Sequence, residues 1–546
     1  MVPLIGAEAA TASAVTLLAT AIISSYLADW IGLTIAPFAI LIVSVAAAAS
    51  VAWRHRRAAA DRGALTTVLA IAGATLGWLL WRARPELLPT GSGPDLVHHL
   101  ALIDYIEQHW RLVHDVRLSE YLGEMVDYTP GFHLLAALVA AWIPGDALHV
   151  VYSVVAATVA LKFGIVFLIA RRLLPAGVPR DPFALVAVLL LLVPRVYSIG
   201  SFTEQSYLAQ VVAELFAVAM WWMVILWDER PSPAAMTLFA LFGVAGFLVW
   251  PVWTGPLLLT VLAVALLHRE RPLVDRARQL APAVFAIGAI AAMHAANHVG
   301  GFRMAGTGGF AIPPTPAVVG WPFFALSAAA VVAAAFRRRT RVLVLLVAAI
   351  ALTAAGLLFA ARSSGAAAPY LAIKMFYLAI YPMSVAAAVL IAEVWRAAAA
   401  RAPRLQSPSL AWVVAAIVGV IAVRSLIASP RPKPVVTEPV LQAAAWARRH
   451  TSPACIDYLT QDGYTAYWLH LAVFGNARAS GRAMDDDTFE PKKALVRWIL
   501  PGGLPYAITD DFEALPRDIR SGVDVLARFG SAAVVKRRGS AATPCP

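Results

Sequence analysis

Residues 91–110, GSGPDLVHHLALIDYIEQHW, gather Asp95, His98, His99, Asp104, Glu107 and His109 between two long apolar stretches. Ser92-Gly93-Pro94 breaks the chain, which sets Asp95 at or near a helix N-terminus, where the helix dipole favours a carboxylate. His98 and His99 follow at i+3 and i+4, on the same face as Asp95. An acid and a histidine so placed can serve as a general base, as a metal-ligand pair, or as an N-cap with two interfacial histidines.

Three further polar insertions interrupt the apolar runs. In YSIGSFTEQSYLAQVVAE, 197–214, Glu204 stands in a short connection, and Tyr207, Gln210 and Glu214 follow at helical spacing on one face. An intramembrane carboxylate is costly, so Glu214 is expected either to line a cavity or to pair with a cation, for which Lys162 is the candidate. The Gly/Pro-rich loop GGFRMAGTGGFAIPPTP, 300–316, holds Arg303 and is preceded by His294 and His298. In PYLAIKMFYLAIYP, 369–382, Lys374 sits among Tyr370, Tyr377 and Tyr381. A cation at headgroup depth suits a lipid phosphate, and snorkelling explains the same placement.

The elements that must position these groups are membrane helices. The chain has 546 residues, is 60% hydrophobic and 14% charged, and its mean hydropathy of +0.72 belongs in a bilayer. The net charge of +12 is dispersed as Arg runs that punctuate apolar stretches. That is the pattern of positive cytoplasmic loops, not of a soluble nucleic-acid-binding face. No basic n-region precedes the first apolar stretch, so it reads as a retained span and not as a signal peptide.

Applying the length and positive-inside rules places spans at about 8–28, 32–53, 64–82, 147–170, 182–199, 207–227, 234–249, 252–267, 280–298, 317–336, 342–360, 370–395 and 409–428. That is about thirteen spans, with the N-terminus cytoplasmic and the C-terminus outside. TPGFHLLAALVAAWIPG, 129–145, is too short to cross and reads as an interfacial or re-entrant helix on the outer side. Had it crossed, Arg171-Arg172 would face outward. The polar insertions then all fall on the outer side.

Residues 430–546 are different material: a linker, PRPKPVV; an amphipathic helix, EPVLQAAAWARRH; strands at ACIDYLT and SAAVVKRR; and a solvated loop, DDDTFEPKK. The expected fold is an all-α polytopic membrane protein with a small C-terminal α/β extracytoplasmic domain. Cys455 and Cys545 lack metal-site spacing, and both a disulfide closing that domain and two separate thiols remain compatible with the sequence.

At this point the chain resembles the GT-C superfamily of membrane glycosyltransferases, which includes oligosaccharyltransferase catalytic subunits, protein O-mannosyltransferases, lipid A aminoarabinose transferases and actinobacterial arabinosyl- and mannosyltransferases. The resemblance rests on an Asp opening the first external loop, the element YTPG at 128–131 leading a short helix, an inward span ending in Arg-Arg, a second acidic outer loop, and KMFYLAIYP late in the chain. It covers most of residues 64–430. It implies an N-terminal two-span addition, 1–63, a catalytic module, 64–429, with external loops 83–146, 197–207 and 299–316, and a soluble outer domain, 430–546. The implied activity is an inverting transfer of a sugar from a polyprenyl-phosphate donor to a glycan, lipid or protein acceptor on the outer face of a bacterial cytoplasmic membrane.

By position, Asp95 matches the carboxylate that activates the acceptor hydroxyl, and Glu204 the second acid, which orients acceptor or metal. Lys374 and Arg303 would offset the leaving phosphate, and His98, His99, Tyr128, Tyr207, Gln210 and Glu214 would line the acceptor site or cavity. The family often pairs acids in the first loop, whereas Asp95 is followed by Leu96 and Val97. A divalent cation, Mg or Mn, on Asp95 and Glu204 is therefore an open expectation. Two other readings stand beside this one: a transporter or flippase built around Lys162 and Glu214, and a metal or haem enzyme using His98, His99, His294 and His298.

Overall fold

The computed structural model describes all residues except 1–3, 5, 57–60, 85–86, 89–93, 119–121, 268–271, 298–310, 366–368, 403–406, 432–433, 435, 475–489, 501 and 540–546. For 94–95, 116, 124, 273, 297, 472 and 474 it describes the backbone alone. The side chain of Asp95 and all of Arg303, His298 and Cys545 therefore lie outside the described residues.

Each of the thirteen expected spans contains a helix, although 182–199 is helical only as far as Leu191 and then turns through Arg195–Tyr197. Among the described residues, nine helices are long and apolar enough to cross a membrane: Gly6–Trp30, Pro37–Arg54, Arg62–Ala83, Ala147–Leu173, Leu208–Glu229, Val274–Ala296, Arg338–Ser363, Tyr370–Arg401 and Pro408–Ile427. The other four expected spans are shorter: Arg180–Leu191, Pro233–Val249, Thr254–Leu267 and Trp321–Ala335. Proline punctuation accounts for their length. Pro194 follows the first, Pro251 separates the second from the third, and Pro322 opens the fourth just after Gly320 at φ +93. The stretch expected to be too short to span is the twelve-residue helix Gly131–Trp142.

The chain divides into two compact units. The first comprises 1–81, 129–135 and 154–431; the second comprises 82–128, 136–153 and 432–546. The first unit is a helical bundle around Leu208–Glu229, a helix buried over its entire hydrophobic window. Ser232 caps the next helix by accepting from the Ala235 N–H at 3.3 Å.

The second unit centres on a four-stranded sheet, order β1-β2-β4-β3, with β1 Ile456–Leu459, β2 Tyr506–Thr509, β3 Val523–Phe529 and β4 Ala532–Arg537. β1 and β2 are parallel, which requires a crossover; the intervening chain contains the helices Gly463–Phe474 and Pro491–Ile499. β2–β4 and β3–β4 are antiparallel, with a bulge near Val525 and Ala527. Leu459, Trp498, Ala507, Leu515, Ile519, Val523, Ala533 and Val535 form its small core. The helix Glu438–His450 and strands β1 and β4 fall where the sequence placed them, while β2 and β3 are additional. The expected DDDTFEPKK loop is corrected at its end: from Pro491 the chain is helical, because Ala494 and Trp498 turn one face into the core.

The same unit contains the helix Pro94–His109. Arg448 donates to Asp104 at 3.3 Å, and His149 bridges Asp146 at 2.5 Å and Glu438 at 2.7 Å. Glu107 accepts the Ala147 N–H at 3.1 Å, and burial pushes its carboxyl above the ordinary range. Cys455 is disulfide-bonded.

Candidate active site

Within the first unit, the second acidic connection folds into a compact hook. Pro194 leads a 3₁₀ turn at Arg195–Tyr197, a single helical turn follows at Gly200–Thr203, and Ser206 at φ 54 turns the chain into the Leu208–Glu229 helix. The left-handed region is uncommon for a residue with a side chain, and such strain is frequent where a site must be held in shape. The hook brings Arg195 Nε to 3.0 Å from Glu204 Oε1. Ser429 Oγ donates to the same oxygen at 3.1 Å. Glycine is needed at 200: a Cβ there would stand 2.9 Å from the Arg195 carbonyl oxygen and 3.1 Å from Glu204 Oε1.

Tyr197 ties the hook to the far end of the 300–316 loop by donating its hydroxyl to the Pro313 carbonyl at 2.7 Å. Its ring meets Phe376 and Tyr377 edge-on at 4.9 and 5.0 Å. Tyr377 in turn donates to Gln205 Oε1 at 2.8 Å. Lys374, one turn earlier, is fully buried in an aromatic cage, its Nζ 2.7 Å from the Tyr207 ring centroid and 5.0 Å from those of Tyr370 and Tyr377. Aromatic faces attract a cation most strongly where water is excluded. Residues 195–207, 311–313, 370–377 and Ser429 thus form one continuous network.

One layer deeper, Lys162 and Glu214 form a salt bridge with side chains 1% and 0% exposed. Tyr381 donates to Glu214 Oε2 at 2.5 Å, and Gln210 Nε2 donates to Oε1 at 3.4 Å. The sequence named these partners, and their burial makes the group a sealed anchor between three helices. Tyr381 lies two turns from Lys374 on the Tyr370–Arg401 helix, so the anchor fixes the helix that carries the caged cation.

The first-loop groups lie in the second unit. His98 is buried and hydrogen-bonds through Nε2 to the Tyr467 hydroxyl, and Gly123 at φ +55 gives its ring room, since a Cβ there would approach to 2.7 Å. His99 meets Tyr128 edge-on, with centroids 5.1 Å apart. His294 belongs to the first unit, beside Tyr26 and Phe247. Among the described residues no group of three His, Cys, Asp or Glu side chains is arranged to hold a metal ion. Glu204 already faces a guanidinium, which opposes adding a divalent cation at the same oxygen.

Arg195, Tyr197, Gln205 and Ser429 were missed from the sequence. PRVY at 194–197 carried a signal, a cation and a phenol just ahead of the acidic loop, but only the fold shows the arginine turning onto Glu204.

Several solved structures resemble this chain. ArnT from Cupriavidus metallidurans, bound to undecaprenyl phosphate, aligns at 14% identity over 88% of this chain and 99% of its own, with a TM-score of 0.47. The oligosaccharyltransferase AglB from Archaeoglobus fulgidus, in complex with an inhibitory peptide and a dolichol-phosphate, aligns at 12% identity over 82% of this chain and 69% of its own, TM-score 0.44. An Archaeoglobus fulgidus oligosaccharyltransferase complex with Zn and sulfate gives 14%, 82%, 68% and 0.42. No family model and no curated protein matches the chain.

Proposed function

We propose that this chain is an inverting GT-C-type glycosyltransferase, which moves a sugar from a polyprenyl-phosphate donor to a glycan, lipid or protein acceptor at the outer face of a bacterial cytoplasmic membrane. On this reading the N-terminus is cytoplasmic and 430–546 lie outside. The observation that supports it best is the network joining the Arg195–Glu204 pair to the caged Lys374 through Gln205, Tyr207 and Tyr377. It sets an acid and two cations at the connection and helix end where a lipid-borne phosphate would arrive.

The chemistry follows from what the transfer requires. A sugar hydroxyl is a weak nucleophile and needs a positioned base. Asp95 takes the acceptor proton while the acceptor oxygen attacks the anomeric carbon from the face opposite the phosphate. The carbon–oxygen bond to the phosphate breaks, and the electron pair leaves with polyprenyl phosphate, inverting the centre. Preorganised positive charge stabilises that departing oxyanion, and Lys374, Arg303 and Arg195 are the cations assigned to it. Glu204 orients Arg195 and the acceptor.

The test is release of polyprenyl phosphate by purified protein given a lipid-linked sugar and candidate acceptors. Asp95→Asn should abolish release; full turnover by that variant would remove Asp95 from the mechanism. The buried Lys162–Glu214 pair supports one rival, a transporter or flippase. That reading requires flipping in proteoliposomes with no covalent product, lost on Glu214→Gln.

A further inference from the structure

The helix ends rich in arginine line a half-open cavity of about 550 Å³, with Glu8, Leu168, Arg171, Arg172, Arg180, Glu229 and Arg339 around it. All of them belong to the first unit. The volume lies within the range of pockets that bind small ligands, roughly 300–1,000 Å³. None of these side chains takes part in the network around Glu204 and Lys374.

The arginines divide into two kinds. Arg171 is held by Asp181 at 2.7 Å and by Asp61, and Arg172 by Glu229 at 2.6 Å and by Glu8, which is almost wholly buried. Four carboxylates are thus committed to two guanidiniums, which fixes both in place. Arg180 and Arg339 form no salt bridge with a described carboxylate, although Glu229 still attracts Arg339 at longer range; Arg339 spends its Nε on the Arg172 carbonyl at 3.0 Å. Positive charge is therefore polarised toward the part of the cavity that Arg180 and Arg339 line. Leu168 supplies an apolar wall.

Depth identifies the ligand. Arg171 and Arg172 end the membrane-length helix Ala147–Leu173, Arg180 opens the shorter helix Arg180–Leu191 that follows it in the chain, and Arg339 lies in the turn Arg338–Thr340 at the start of the membrane-length span Arg338–Ser363. Residues that terminate membrane-length apolar helices sit at headgroup level. Basic pockets between helices at that level suit anionic headgroups, and guanidinium forks match phosphate oxygens in pairs.

We propose that this cavity is a binding site for the phosphodiester headgroup of an anionic phospholipid, gripped by Arg180 and Arg339 and shaped by the two rigid arginine–carboxylate clusters. The site is independent of the transferase reading and would hold if the chain were a transporter.

The experiment uses the full chain purified in mild detergent. Phosphatidylglycerol, phosphatidylcholine and inorganic phosphate are added separately, with thermal stability and lipid retained per chain by native mass spectrometry as readouts. Phosphatidylglycerol should raise Tm and be retained at one site, while phosphatidylcholine should do neither. Arg180→Gln with Arg339→Gln should weaken retention by roughly tenfold or more, and the Arg180→Lys with Arg339→Lys pair should restore part of it, which separates lost binding from lost folding. Arg401→Gln, at the end of another helix, should change nothing. Displacement of the retained lipid by millimolar inorganic phosphate supports a site that reads the phosphate group itself. Equal retention by wild type and the double Gln variant, or an equal response to both lipids, overturns the proposal.

Discussion

Glu214→Gln is the perturbation that most directly tests how the bundle is held together. It leaves the shape of the side chain and removes the charge that faces Lys162, in a place where neither side chain touches solvent. At an effective dielectric of about 20, unit charges at hydrogen-bonding separation attract by about 5 kcal/mol. Taking each ion out of water costs several kcal/mol, so the pair as a whole contributes little against a well-packed apolar substitute. A single substitution is different, because the surviving ion keeps its desolvation cost and loses the attraction. Glu214→Gln and Lys162→Met should therefore each destabilise by roughly 3–5 kcal/mol. The combined Lys162→Met with Glu214→Leu should lie between neutral and about 4 kcal/mol stabilising. Tyr381→Phe, which deletes a hydroxyl 2.5 Å from the carboxylate, should cost roughly 1.5–3 kcal/mol. Denaturant unfolding of the full chain in micelles, followed by tryptophan fluorescence, compares each variant with wild type, and Glu214→Leu alone supplies the matching single substitution that closes the cycle. Single substitutions costing below about 1 kcal/mol, or a double variant that costs the sum of the singles, would refute a coupled buried pair.

Three further outcomes are expected. Lys374→Met should lower kcat for polyprenyl phosphate release by roughly a hundredfold or more, with Lys374→Arg recovering part of it; unchanged kcat would take Lys374 out of phosphate stabilisation. Gly200→Ala should push Glu204 from Arg195, because the new methyl group meets both, and lower kcat/KM by roughly tenfold to a hundredfold with the fold intact; full activity would show that the Arg195–Glu204 geometry is immaterial. Asp510, whose carboxylate accepts the Gln461 N–H at 2.9 Å, is pushed above the ordinary range chiefly by burial. Its folded value exceeds its unfolded one, so its contribution to stability is complete below about pH 4 and fades as pH rises through the folded value. Wild type should lose Tm relative to Asp510→Asn over that interval, and parallel pH curves would contradict the burial argument.

The polypeptide's own pattern determined a good deal. Apolar length and Pro-Gly breaks placed the helices, because a segment either has enough consecutive apolar residues for membrane length or it does not, as Gly131–Trp142 illustrates. Lys162 and Glu214 were legible as partners because an unpaired charge inside an apolar span is too costly to leave alone. The helix Glu438–His450 and strands β1 and β4 were legible from periodicity, whereas β2 was hidden, since its short buried run pairs with β1 across a crossover that no local pattern encodes.

Tertiary structure decided the rest. Nothing in PRVY announces that Arg195 will meet Glu204, that Ser429 will arrive more than two hundred residues later at the same oxygen, or that Tyr207 will cover the Lys374 ammonium. Nor do the individual Arg runs reveal which arginines are consumed by carboxylates and which are left to line a cavity. The physical reason is the same in each case. Burial cost is a property of one residue in its segment and can be read locally, whereas the partner that offsets that cost is chosen by packing among helices far apart in the chain.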